Sequence, residues 1–222
     1  MADKQIKTFE DLQQAVEGYS GKTVIFRGVR SLSHELVPKI GRYEKFKESG
    51  DTLREELYML RLFKEQAVRF LASAPANDWE WLTIMQHHGM PTRLLDWTRN
   101  PLVAAYFSVK KEHDGDSCVY AFKSNKYINI EKNPKPFERD KFGKFIPRHV
   151  TPRVTAQTGL FTIHPNPLEP LESSKIDRLV IASDFRKNLK QTLYKYGIHV
   201  ATIFPEMDGL CRHIEWLRTD IY

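Results

Sequence analysis

Six side chains able to do chemistry fall within 13 consecutive positions: His87, His88, Arg93, Asp96, Trp97 and Arg99. A short core segment rarely gathers so many polar groups. Imidazoles move protons and recognise hydroxyls, and guanidinium forks onto phosphate or carboxylate. A carboxylate steadies a developing cation, and an indole face holds a flat ring. A second set stands near the N-terminus, where an apolar run at 23–26 ends in Arg27 and Gly28, with Arg30 beyond. A glycine there lets a ligand come close to the backbone. Each group also has a plain reading. Arg93 and Asp96, three apart, can pair and tie a turn to a strand. His87 can serve a helix C-terminus, where the backbone dipole favours a cation. Trp97 can be core, as Met85 and Met90 read. The two cysteines, Cys118 and Cys211, and the eight histidines show no metal-ligand spacing, so we expect buried reduced thiols and no structural zinc.

The elements that must hold these groups follow from capping and periodicity. Asn77 with Glu80 starts a helix, and Gly89 and Pro91 end it. A strand is predicted over 92–98. Asn100 caps the next helix with Pro101 in its first turn, and Ala104 and Ala105 let that helix lie close to a sheet. Upstream, Thr8 caps a helix over Phe9–Glu17 that Gly18 stops, and 23–26 reads as a buried strand. Residues 31–48 read as loop. Asp51 starts a helix reaching about Ala74, with Leu53, Leu57, Leu60, Phe63, Ala67 and Phe70 as a core-covering face. Further strands are predicted at 117–122, at 153–164 with a bend at Gly159, at 177–182 and at 199–204. Helices are predicted over 183–196, ended by Gly197, and through 210–217. The order does not alternate strictly. We therefore expect an α+β fold in one domain over 1–222: a central mixed sheet of about six strands with helices packed on it.

Composition bounds the function. With 28% charged and 41% hydrophobic residues the chain reads as an ordinary soluble protein, with no apolar run long enough for a membrane span. The first residues lack the apolar stretch of a signal peptide, so a cytosolic address is expected. The net charge of +6 is concentrated at 126–148, a proline-containing stretch with seven basic and three acidic residues. That stretch reads as a loop, either a solvated surface or a contact for an anionic partner such as RNA.

Four motifs occur in order: Phe26-Arg27-Gly28, QHHGMPTRLLDWTRNPLVAAYFS at 86–108, RVTAQTGLF at 153–161 and IFPEMDGL at 203–210. Together they resemble the FRG domain family, named for its Phe/Tyr-Arg-Gly motif, across nearly the whole chain. The family usually has an aromatic after the first histidine, where this chain has His88, so His87 is the better site candidate. The family is in turn distantly similar to the ADP-ribosyltransferase superfamily, which transfers ADP-ribose from NAD. That resemblance implies an ADP-ribosyltransferase-like sheet, NAD as substrate and an RNA or protein acceptor. It also implies a toxin of bacterial anti-phage defence with a neutralising antitoxin as partner.

The same resemblance implies roles for particular residues. Arg27 and Arg93 would clamp phosphate or ribose oxygens, with Gly28 allowing close backbone contact. Trp97 or Tyr106 would stack on nicotinamide. Asp96 would stabilise the cationic ribose or hold Arg27. His87 would bind ribose hydroxyls. The strand expected to bring a catalytic Glu offers Gln157, which can position an acceptor but cannot act as a general base. Two rival readings remain: a non-catalytic RNA-binding module, or a hydrolase of a nucleotide-like substrate using Asp96 and His87.

Overall fold

Alternating side chains around Arg27 build the middle of the sheet. In β2 (Val24–Val29), Val24 and Phe26 enter one core layer, and Ile25 and Val29 enter the layer on the opposite face. The computed structural model describes residues 3–19, 21, 23–147 and 152–219. The other strands are β1 (Asp3–Ile6), β3 (Leu94–Thr98), β4 (Ser117–Lys123), β5 (Gly143–Phe145), β6 (Gly159–Ile163) and β7 (Ile176–Ile181). They form one mixed seven-stranded sheet in the order β1-β7-β4-β2-β3-β6-β5. β1 and β7 pair in parallel and the other neighbours are antiparallel. β2 and β4 share six ladder pairs, whereas β2 and β3 share only Phe26↔Thr98.

Among the described residues the helices are α1 (Phe9–Glu17), α2 (Glu44–Glu48), α3 (Thr52–Ala67), α4 (Asp78–His87), α5 (Pro101–Val109), α6 (Pro152–Ala156), α7 (Arg186–Lys195), α8 (Val200–Ile203) and α9 (Met207–Thr219). The α+β expectation holds in this form. One face of the sheet is covered by α1, α5, α7 and α8 through Leu12, Val103, Leu189 and Ile203. Each such fully buried side chain contributes about 1.5–3 kcal/mol. Over β3, β6 and β5, α4 places Trp79 and Leu82 against Phe145, Phe161 and Ile163.

Local signals held where local hydrogen bonds make them. Thr8 Oγ1 accepts from Asp11 N, Asn77 Oδ1 from Glu80 N and Asn100 Oδ1 from Leu102 N. Gly89 and Gly197 take φ of 81° and 75°, the left-handed conformation that stops α4 and α7. Elsewhere the structure departs from the expectation. The run 199–204 is the helical turn of α8, with Thr202 Oγ1 accepting from His199 N. Residues 153–156 belong to α6, so the strand expected at 153–164 begins only at Gly159. The apolar face of α3 is buried only in part. Leu60 and Ala67 are covered, but Leu53, Leu57 and Phe70 are exposed.

The stretch 126–148 is less a basic loop than its composition suggests. It contains β5, and the buried Lys144 ammonium donates to the carbonyls of Thr23 and Ser124. Arg139 donates to Asn133 and Lys135 pairs with Glu138. Arg148 lies outside the described residues. Both cysteines are free thiols, but Cys211 is exposed where burial was expected. Among the described residues no helix is long and apolar enough to cross a membrane.

Candidate functional site

Beyond the single pair Phe26↔Thr98, β2 and β3 part, and a side chain fills the gap. Arg27 Nη1 donates to the backbone oxygen of Asp96 at 2.6 Å and lies 3.7 Å from its carboxylate. A cleft of about 400 Å³ opens there, within the size range of small-molecule sites. Arg27, His87, Asp96, Trp97 and Gln157 all line it. Residues scattered over 130 positions of sequence thus face one cavity.

Arg27 is held but not neutralised. Burial pulls its pKa below the ordinary arginine value, opposed by Asp96, and its Nε is buried with no partner among the described residues. The Asp96 side chain is 57% exposed toward the cleft, anchored by Gln86 Nε2 at 2.7 Å. Gln86 in turn accepts from Thr92 Oγ1. His87, at the last turn of α4, is pushed below the usual histidine pKa by burial and by Arg153 and His88. It presents a largely neutral imidazole at pH 7.

Trp97 lines the cleft with only a small part of its surface, being otherwise buried, and is held by its indole nitrogen. Trp97 Nε1 donates to Thr162 Oγ1 at 2.9 Å, and that hydroxyl stands 3.0 Å from His164 Nε2. With one proton and two lone pairs, the Thr162 hydroxyl bridges the indole and the imidazole. The pKa of His164 is brought down to about 3 by burial and by Arg27 and Arg93.

Four expected site residues are placed otherwise. Arg93 does not reach the cleft. It is buried in a bidentate pair with Glu56 of α3, Nη2 to Oε2 at 2.5 Å, and tethers that helix to the start of β3. Tyr106 lines a different pocket, on the helical side of α5. Gly28 borders the cleft, but its missing side chain serves α5. A Cβ there would come within 1.8 Å of the Ala104 carbonyl oxygen, so glycine is required for helix–strand packing rather than for ligand approach. Gln157 sits in the turn after α6 instead of on a strand, its amide nitrogen donating to Ile203 O at 3.2 Å.

Other cations in the cleft escaped the sequence reading. Arg42, Lys110 and Arg153 join Arg27 and Arg30, against only Glu35 and Asp96. Arg42 is anchored by Val37 O. Arg153 lies 4.4 Å from the centre of the Phe204 ring. Lys110 caps the C-terminus of α5, a position where a cation is favoured, and that was the one local signal for it. The buried Arg186 fixes this corner by donating to the carbonyls of Arg30, Ser108 and Lys111.

Residues 22–117 match the family model described as the FRG domain. Over these residues the chain is similar to the FRG domain family. The matched span supplies Arg27, His87, Asp96, Trp97 and Lys110, while Arg153 and Gln157 reach the cleft from beyond it. No curated protein and no solved structure matches the chain.

Proposed function

We propose that the cleft binds NAD and transfers its ADP-ribose to an acceptor, as an ADP-ribosyltransferase built on an open mixed sheet. The observation that carries this reading is Arg27: a guanidinium at the opening between two strands, with a buried unpartnered N–H, among four further cations. A pyrophosphate supplies the negative charge such a group of cations calls for, and arginine can fork onto it with fixed geometry. The nicotinamide–ribose C–N bond then breaks with its electron pair leaving on nicotinamide. The Asp96 carboxylate faces the cation that develops on ribose C1′. His87 hydrogen-bonds ribose hydroxyls, and the acceptor nucleophile attacks C1′ and gives up its proton to water. Gln157, tethered to Ile203, orients the acceptor through its side-chain carbonyl oxygen. The acceptor is RNA or a protein. In the toxin reading a neutralising antitoxin covers the cleft.

Labelled NAD incubated with total RNA or total protein tests this. Label transfer by the native protein, abolished in Arg27→Ala and largely lost in Arg27→Lys, supports it. Host killing on expression that requires Arg27 supports the toxin role. One observation favours a second reading. The position expected to hold a catalytic Glu carries a tethered amide, so the cleft is equally suited to holding a nucleic-acid backbone without chemistry. Absence of NAD turnover, combined with RNA binding that weakens steeply with salt, selects that alternative.

A further inference from the structure

On the helical side of α5 a second pocket, about 270 Å³, opens between α5, α7, α8 and α9. Its wall is aromatic. Tyr194 meets Trp216 edge-on with ring centroids 5.1 Å apart and lies 5.6 Å from His199, whose ring stacks on His213 at 4.1 Å. Tyr194 is partly exposed, so the rings form a wall rather than a closed core. His199 Nδ1 is buried with no partner among the described residues. The rim carries Lys110, Lys111, Lys190 and Arg212, with Glu215 as the carboxylate lining it among the described residues, and Arg212 lies 3.8 Å from Asp208.

Lys110 is the decisive group because it borders both this pocket and the Arg27 cleft. Its ammonium lies over the rings of Phe107 at 4.7 Å and Phe204 at 5.6 Å. Among the described residues it makes no hydrogen bond or ion pair. Burial and the neighbouring Lys111, Arg153 and Arg212 bring its pKa down to about 8. A desolvated cation among other cations is costly unless an anion completes it. Flat rings beside such a cation suit a ligand with a flat base at one end and a phosphate at the other.

We propose that this pocket binds a nucleoside phosphate, with the base against Tyr194 and Trp216 and the phosphate at Lys110, on the border with the cleft. The nucleotide comes either free or as one unit of a single-stranded RNA. The base gains from stacking and from the unpaired His199 nitrogen, and Arg212 and Lys111 add phosphate contacts. This binding does not depend on any chemistry in the cleft.

Calorimetric titration of the full chain without NAD tests it, with AMP and a short oligoadenylate RNA as separate probes. Binding of AMP identifies the free nucleotide, and binding of the RNA alone identifies the strand. Trp216→Leu and Arg212→Gln should each weaken binding about 10-fold, the scale of one lost stacking or phosphate contact. NAD binding should be unchanged in both, which also reports that they fold. Arg27→Ala should leave AMP or RNA binding intact. Two results overturn the proposal: neither probe binds the native protein, or binding is lost in Arg27→Ala and survives in Trp216→Leu. The second places the nucleotide in the cleft.

Discussion

Separating Arg93 from Arg27 tests the site assignment most directly. Arg93 and Glu56 form a two-pronged ion pair with side chains 4% and 2% exposed. Glu56→Gln leaves a guanidinium in the interior without its countercharge, which costs about 3–5 kcal/mol. For a chain of this size each kcal/mol lowers Tm by about 2–4 °C, so a loss of roughly 6–20 °C is expected. Against a total stability of about 5–15 kcal/mol, that leaves the variant close to unfolding at physiological temperature. The double variant Glu56→Leu/Arg93→Met removes both charges and keeps the volume apolar, and it should recover most of the loss. Urea melts of the native protein, Glu56→Leu, Arg93→Met and the double variant close the thermodynamic cycle, and NAD titration of the double variant reads the cleft. If the double variant is folded but no longer binds NAD, Arg93 contacts the ligand and its assignment as a structural tether is refuted. If it is no more stable than the singles, the cost does not come from the unpaired charge.

Three further outcomes are expected. Gly28→Ala drives a methyl group into the Ala104 carbonyl and should cost at least about 1–3 kcal/mol, seen as a lower thermal midpoint, because a backbone atom cannot move aside like a side chain. His164 has its pKa brought down to about 3. The unfolded chain takes up a proton below about pH 6.5 while the folded chain does not, so stability is lost as pH falls from about 6.5 toward 3, by about 2 kcal/mol at pH 5. Urea melts across that window should flatten in His164→Gln. Lys110 loses its charge as pH rises through about 8, so NAD affinity should weaken above that pH in the native protein and show no such step in Lys110→Met.

What could be read in advance was what neighbouring residues settle among themselves. Thr8, Asn77 and Asn100 cap helices through hydrogen bonds within three residues, and glycines at 89 and 197 end them. Pairing across the chain was not legible. β1 is four residues long with only Ile6 buried, and it exists because β7 offers it a parallel edge. β5 hides in a basic run because its middle residue is a lysine, whose buried ammonium meets two carbonyls and the Tyr127 ring. The β-branched run 199–204 looked extended, yet the cap at Thr202 and packing against α9 made it helical. For the site, the motif pattern named six of the residues that line the cleft: Arg27, Gly28, His87, Asp96, Trp97 and Gln157. Arg42 and Arg153 stood in stretches read as loop and strand, and only the fold brings them to Arg27.

The lone Phe26↔Thr98 contact divides the sheet into a four-stranded leaf, β1-β7-β4-β2, and a three-stranded leaf, β3-β6-β5. Main-chain bonding barely stitches them, and the Arg27 guanidinium is the clasp across the gap. A guest drawn onto that clasp touches both leaves at once. Occupancy is therefore written into the rigidity of the whole molecule: the hinge between the leaves is where the amides of β3 should slow their exchange with solvent when the guest arrives.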